Sequence, residues 1–369
     1  MKLVHLVLFL TIPSLAAELA KLKRGAVLAL DEDWSGGIDS QKWYVMRRHW
    51  GKGHHGVVPE NVKVAQEPDG KGGTRSILVC KAHGDQYDGP IKGLGNHSDR
   101  VGGVIVTKDF FASGRFEISM RVGGTKKIEG GPADPTKPIG AIPAIWTYAG
   151  WTTRVKPEDA KTFSKENPLY QPGLQEYGPG NAFYTSEIDF PELGKKGDFS
   201  KGLYNTFMPR KVDSQTFAVD IADGQFHTYT TEWRTHLVEI KDLRDDQVIQ
   251  HAGYSWIRDL KVPFGLYGGN PVQKLGPNRY AVCHGLHAKH WVDGKFVGES
   301  TRFVPAIAAQ LSLGVWLPHW GGPAPWKESS VAFDRIRIWQ YSDEGDVKGI
   351  LKNDQPNNIG PKGALLKAP

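Results

Sequence analysis

Ser186-Glu187-Ile188-Asp189-Phe190-Pro191-Glu192-Leu193 is the stretch on which the reading of this chain turns. In a β-strand successive side chains alternate between faces, so Glu187 and Asp189 share one face while Ile188 and Phe190 share the other. Unbroken alternation would place Glu192 on the apolar face, where an unpaired carboxylate is costly. A β-bulge at Phe190-Pro191 removes the conflict. One extra residue resets the phase, and proline within a strand is tolerated mainly at bulges and edges. Three carboxylates then line one ridge.

Strand patterns surround this stretch. Ile77–Cys80, Val104–Val106, Phe116–Met120 and His227–Trp233 are β-branched or aromatic runs ending at turn residues. Ala332–Trp339 alternates apolar with polar, the pattern of a strand with one buried face. Strong amphipathic helices are absent, with at most a short one over 157–166, and no repeat is apparent. The 44 glycines and 24 prolines follow no period and indicate many tight turns, not collagen. An all-β protein is expected, a jelly-roll β-sandwich with long inserted loops. Residues 123–140 and 149–183 read as such insertions.

Lys2 followed by the apolar run Leu3–Leu15, with small residues near Ala16 and Ala17, reads as a signal peptide over 1–17. The run is too short to span a bilayer and no later segment is long enough, so no membrane span is expected. The chain reads as secreted or periplasmic. Net charge is +6, but residues 1–24 hold +3 and residues 346–369 hold +2, leaving the body nearly neutral. Nucleic acid is therefore not expected as a partner. Cys80 and Cys283 are either a disulfide or two small buried side chains.

A ridge of like charges is unfavourable unless it is used. Crowded carboxyls raise at least one pKa, which keeps a general acid protonated near neutral pH. Two carboxyl groups about 5–5.5 Å apart suit a double displacement at a glycosidic bond. A solvated acidic edge strand is the competing reading of the spacing alone. The 12 tryptophans and 12 tyrosines are more than a core this size requires, and exposed aromatic faces suit the stacking of sugar rings.

E-I-D-F-P-E (187–192) resembles the E-x-D-x-x-E signature of glycoside hydrolase family 16, the laminarinase, agarase and carrageenase-like enzymes. Other pieces match in order. L-D-E-D-W-S-G-G-I-D-S-Q-K-W (30–43) resembles the family's first strand and turn. G-V-I-V-T-K-D-F-F-A-S-G-R-F-E-I-S-M-R-V (103–122) and G-A-I-P-A-I-W-T-Y (140–148) resemble the strands before the catalytic one. D-G-Q-F-H-T-Y-T-T-E-W (223–233), V-D-G-K-F-V (292–297) and V-A-F-D-R-I-R-I-W-Q-Y (331–341) resemble the later strands.

The resemblance implies a concanavalin A-like jelly roll over 25–345, a polar tail over 346–369, and a polysaccharide cleft on the concave face. It makes Glu187 the nucleophile and Glu192 the acid/base, with Asp189 between them. Trp146, Asn205, Trp316 and Trp320 become substrate-binding candidates, although each tryptophan has a core role as its alternative. The implied activity is a retaining endo-glycosidase, with β-1,3 or mixed-linked glucan as first choice and an anionic galactan or exopolysaccharide as second. A carbohydrate-binding protein on the same sandwich and a transglycosylase are the alternatives. No cofactor is required, though the family's structural calcium would fall on Glu32 and Asp334, and a monomer is expected. The 234–291 stretch is longer than the turn such relatives need. Cys283, His284, His287 and His290 lie within it, but they lack the paired spacing of a zinc site and fall in an expected loop.

Overall fold

The structure is a computed structural model, and it describes residues 25–49, 52–123, 137–154, 181–208, 211–219, 223–255, 261–267, 270–305, 308–341, 346 and 363–367. The signal-peptide stretch, residues 157–166 and most of 123–140 and 149–183 lie outside them. The chain opens with β1 (Ala26–Glu32), β2 (Trp43–Arg48), β3 (Val62–Pro68), β4 (Thr74–His83), β5 (Gly103–Thr107) and β6 (Gly114–Val122). Next come β7 (Ile142–Arg154), β8 (Asn181–Leu193), β9 (Lys201–Met208) and β10 (Lys211–Ala218). There follow β11 (His227–Asp242), β12 (Ile249–Ser255), β13 (Lys261–Tyr267), β14 (Asn270–Gly276) and β15 (Arg279–Val292). The last are β16 (Lys295–Ser300), β17 (Gln310–Trp316), β18 (Glu328–Tyr341) and β19 (Gly363–Lys367).

All named strand pairs are antiparallel, and they build two layers. One layer runs β3–β4–β18–β6–β11–β15–β16, with β1 taking the second half of the β18 edge that β4 leaves. The other runs β19–β2–β5–β17–β7–β8–β9–β10. The expected all-β sandwich is the architecture observed. Among the described residues no helix is long and apolar enough to cross a membrane.

Period-two alternation explains the packing. Along β6, Phe116, Ile118, Met120 and Val122 are buried while the residues between them are half-buried. Phe116, Ile118 and Trp233 from one layer join Ile145, Ile188 and Phe190 from the other in a single apolar core. Full burial of such side chains contributes about 1.5–3 kcal/mol each. A void of about 20 Å³ remains between these same residues, too small for any sugar.

Three boundary expectations change. The 149–183 insertion is strand at both ends, since β7 continues to Arg154 and β8 starts at Asn181. The 234–291 stretch is a strand assembly. β11 and β15 extend beyond the sandwich side by side, β14 and β13 add to β15, and β12 reaches Trp151 and Thr152 of β7. Leu243, Val248, Tyr280 and Val282 give that extension a small core of its own. The polar tail contributes β19, which pairs with β2. Cys80 and Cys283 are both buried and no disulfide joins them, which decides between the two cysteine readings.

Candidate active site

The bulge expected at Phe190-Pro191 is present. Against β9, Asp189 faces Asn205 and Glu192 faces Leu203, so three steps along β8 match two along its neighbour. The same shift recurs against β7, where Asp189 faces Trp146 and Glu192 faces Ala144. The Phe190–Pro191 peptide bond is cis. Phe190 turns into the core, its ring centroid 5.4 Å from Phe217, 5.9 Å from Tyr229 and 4.5 Å from His290. With the phase reset, Glu187, Asp189 and Glu192 project from the opposite face.

Directly opposed residues in antiparallel strands share a face, so the register maps the floor around the triad. Tyr148 lies opposite Glu187, and the row from Asp189 runs through Trp146 to Ser312. The row from Glu192 runs through Ala144 to Gly314, both of them buried. Gly314 cannot be enlarged, because a Cβ there would meet the Gly103 carbonyl oxygen at 2.2 Å. Further across the sheet the same face carries Val104 and Val106 of β5, then Tyr44 and, four residues on, Arg48 of β2.

Asp189 is buried, whereas Glu187 and Glu192 keep part of their surface exposed. Asn205, itself buried, donates through Nδ2 to Asp189 Oδ2 at 3.0 Å and to Glu192 Oε2 at 2.7 Å. Ser214 on β10 donates to Asn205 Oδ1 at 2.6 Å, which orients the amide. Desolvation pushes Glu187 up to about 8, and the charge of Glu192 adds to the shift. Desolvation raises Glu192 to about 7, with the Asn205 hydrogen bond and Lys195 opposing. Asp189 is raised well above the usual carboxylate range by burial, then by the charges of Glu192 and Glu187, against the Asn205 bond. The three therefore share protons at neutral pH, as a site that must both donate and accept them requires.

The structure places the other candidates as follows. Trp146 is half-buried beside Asp189, partly packed on the core. Asn205 holds two carboxyls together, a tie that sequence reasoning missed along with Ser214. Trp316 is 9% exposed and meets Trp320 edge-on at 5.7 Å. Trp316 also meets His54 edge-on at 5.3 Å, and His54 stacks on His49 at 4.6 Å. His49, immediately after β2, thus joins this aromatic group. Arg48 lies near Tyr148, and burial lowers its guanidinium to about 10 against the attraction of Tyr148.

Glu32 and Asp334 do not suit one calcium site. Glu32 accepts from Trp34 N at 3.2 Å and Trp43 Nε1 at 3.1 Å, with Lys42 Nζ 3.5 Å away. Asp334 instead accepts from Arg75 at 3.0 Å. Each carboxylate already has its own donors and its own cation, so a divalent ion would have to displace them. The cysteine–histidine run lies on β15, a strand and not a loop. There His287 approaches Glu232 at 3.7 Å and Glu299 at 3.9 Å, while His290 packs under Phe190.

No family model matches the chain, and no curated protein matches it. Solved structures do. Porphyranase B from Zobellia galactanivorans is 14% identical with a TM-score of 0.48, covering 87% of this chain and 94% of that one. LamAcat from Zobellia galactanivorans is 15% identical with a TM-score of 0.45, covering 85% and 98%. A glycoside hydrolase family 16 endo-glucanase from Bacteroides ovatus is 12% identical with a TM-score of 0.43, covering 84% and 99%.

Proposed function

We propose that this chain is a retaining endo-glycosidase of the glycoside hydrolase family 16 type, cleaving a β-linked polysaccharide by double displacement. One observation carries the reading: the bulge at Phe190-Pro191 gathers Glu187, Asp189 and Glu192 on one face, where burial raises all three carboxyls. In the first step Glu187 attacks the anomeric carbon and Glu192 protonates the departing oxygen. In the second, Glu192 takes a proton from water as the water oxygen bonds to the anomeric carbon and the bond to Glu187 breaks. Burial and the two neighbouring glutamates favour the protonated form of Asp189, which spares both glutamates a like charge. Trp146, half-buried beside Asp189, offers a face for a sugar ring. A binding module would have no use for three crowded carboxyls, which cost stability unless they do chemistry. No step is assigned to calcium.

Neutral β-1,3 or mixed-linked glucan is the first-choice substrate, because the chain outside its two ends is nearly neutral. One observation favours a second reading. Arg48 stands on the same face as the triad, and a guanidinium suits the sulfate or carboxylate of an anionic galactan. Reducing-end release from laminarin, lichenan, agarose and carrageenan tests both. Cleavage of the neutral glucans is expected. Activity confined to a charged polymer, lost in Arg48→Ala, would move the assignment to the second reading. Binding without any cleavage would sink the glycosidase itself. Product sizes in the same incubations distinguish hydrolysis from transglycosylation.

A further inference from the structure

We propose that His55, His97 and Asp99 form a binding site for one divalent transition-metal ion of the zinc class. The proposal is independent of the glycosidase reading. One ligand atom from each of the three lies within 4.8 Å of the other two. The imidazoles of His55 and His97 stack with centroids 3.9 Å apart and planes at 11°. His55 Nδ1 stands 2.8 Å from the backbone carbonyl oxygen of Asp99. A carbonyl only accepts, so Nδ1 carries the proton and Nε2 keeps its lone pair; the Asp99 carboxylate, 3.5 Å from Nδ1, would turn toward Nε2 to share an ion. A ring nitrogen held by a backbone carbonyl is how metal-ligating histidines are commonly oriented.

The backbone beneath these side chains is already tied down. His55 N donates to Arg100 O at 3.0 Å, Leu94 N to His55 O at 2.7 Å, and Gly93 N to His97 O at 2.6 Å. Arg100 in turn donates to Asp85 at 2.9 Å and to the carbonyls of Leu317 and Pro318, each at 3.1 Å. Only the side chains need to move. A tetrahedral ion with bonds of about 2.0–2.1 Å asks for ligands about 3.4 Å apart. His97 is exposed and Asp99 half-buried, so both have room to close and the ion has a path in.

Two imidazole nitrogens and one carboxylate oxygen suit zinc, nickel or copper, whereas calcium and magnesium prefer all-oxygen sets. Water would complete the coordination. The ion would clamp the turn at His55 to the loop at 97–99. The adjoining His54 packs against Trp316, so the clamp would brace the aromatic end of the sheet face.

The test is calorimetric titration of the full chain, stripped with EDTA and desalted, with zinc chloride, and with calcium chloride as control. One saturable zinc equivalent is expected, weakened more than about tenfold in His97→Ala and in Asp99→Asn. Saturating zinc should raise the melting temperature of the parent chain by a few degrees and leave both variants unmoved. Equal metal-free melting temperatures of parent and variants would show that the substitutions spare the fold. If His97→Ala lowers its own, Asp99→Asn alone carries the comparison. No saturable zinc binding, or full affinity in the variants, would overturn the site, and calcium binding equal to zinc would overturn its class.

Discussion

The side-chain amide of Asn205 donates to Glu192 Oε2 at 2.7 Å and holds that carboxyl against Asp189. The bond favours the ionised form of Glu192, so removing it raises the acid/base pKa. With Glu187 near 8 and Glu192 near 7, the acidic limb of the pH–rate profile bends at Glu192, and Asn205→Ala should move that limb upward. It should also cost about 10–100-fold in kcat, the worth of a hydrogen bond to a charged group. Ser214→Ala, which frees the amide to turn, should shift the limb in the same direction by less. An unmoved acidic limb in Asn205→Ala would show that the bond does not tune Glu192.

The proposed chemistry needs Glu187 ionised and Glu192 protonated, yet Glu187 sits near 8 and Glu192 near 7. The productive pattern is then a minority form, most populated between the two values, near pH 7.5. A bell-shaped kcat/KM profile centred there is expected, and an optimum below pH 6 would contradict it. The order of the two values would equally fit exchanged roles. Trapping with a 2-deoxy-2-fluoro glycoside and mass spectrometry of the labelled peptide decides this. The adduct is expected on Glu187, and one on Glu192 would reverse the assignment.

The triad destabilises the fold it sits in. Glu187 holds its proton in the folded chain up to about 8, while its ordinary value is 4.5. Between these values the folded state binds the extra proton, so stability falls as pH rises from about 4.5 through 8. Glu187→Gln keeps the shape and removes the charge. It should abolish turnover yet raise unfolding stability by about 1–2 kcal/mol at pH 8. The gain should vanish at pH 4, where both side chains are neutral. Urea unfolding at the two pH values reads the difference.

Phe190 anchors the bulge from below, buried against Phe217, Tyr229 and His290. Phe190→Ala leaves a cavity and should cost about 3–5 kcal/mol, read as a lower urea midpoint. His290 adds an acid sensitivity. Burial depresses its ring to about 3 from 6.5, so it folds neutral while the unfolded chain protonates it. Its contribution is intact above 6.5 and lost as pH falls toward 3, at about 1.4 kcal/mol per pH unit. Unfolding stability that stayed flat across that window would contradict the buried, neutral state of the ring.

Local rules made much of this molecule legible without coordinates. Period-two alternation marks β6 and the second half of β18, and the cost of a buried carboxylate demands a bulge where Pro191 permits one. Both arguments depend only on neighbours along the chain, so a single sequence suffices for them. Pairing between distant strands was beyond such reasoning, because nothing in 234–291 states that β12 will meet β7. The same holds for the site. The sequence alone put Glu187, Asp189 and Glu192 on one face. Only the tertiary structure set Ser214 behind Asn205, gave Glu32 to the Trp43 indole, seated His54 against Trp316 and stacked His55 on His97. Those contacts join residues from 9 to 262 positions apart, and the pairing of strands and loops in space, not spacing along the chain, decides them.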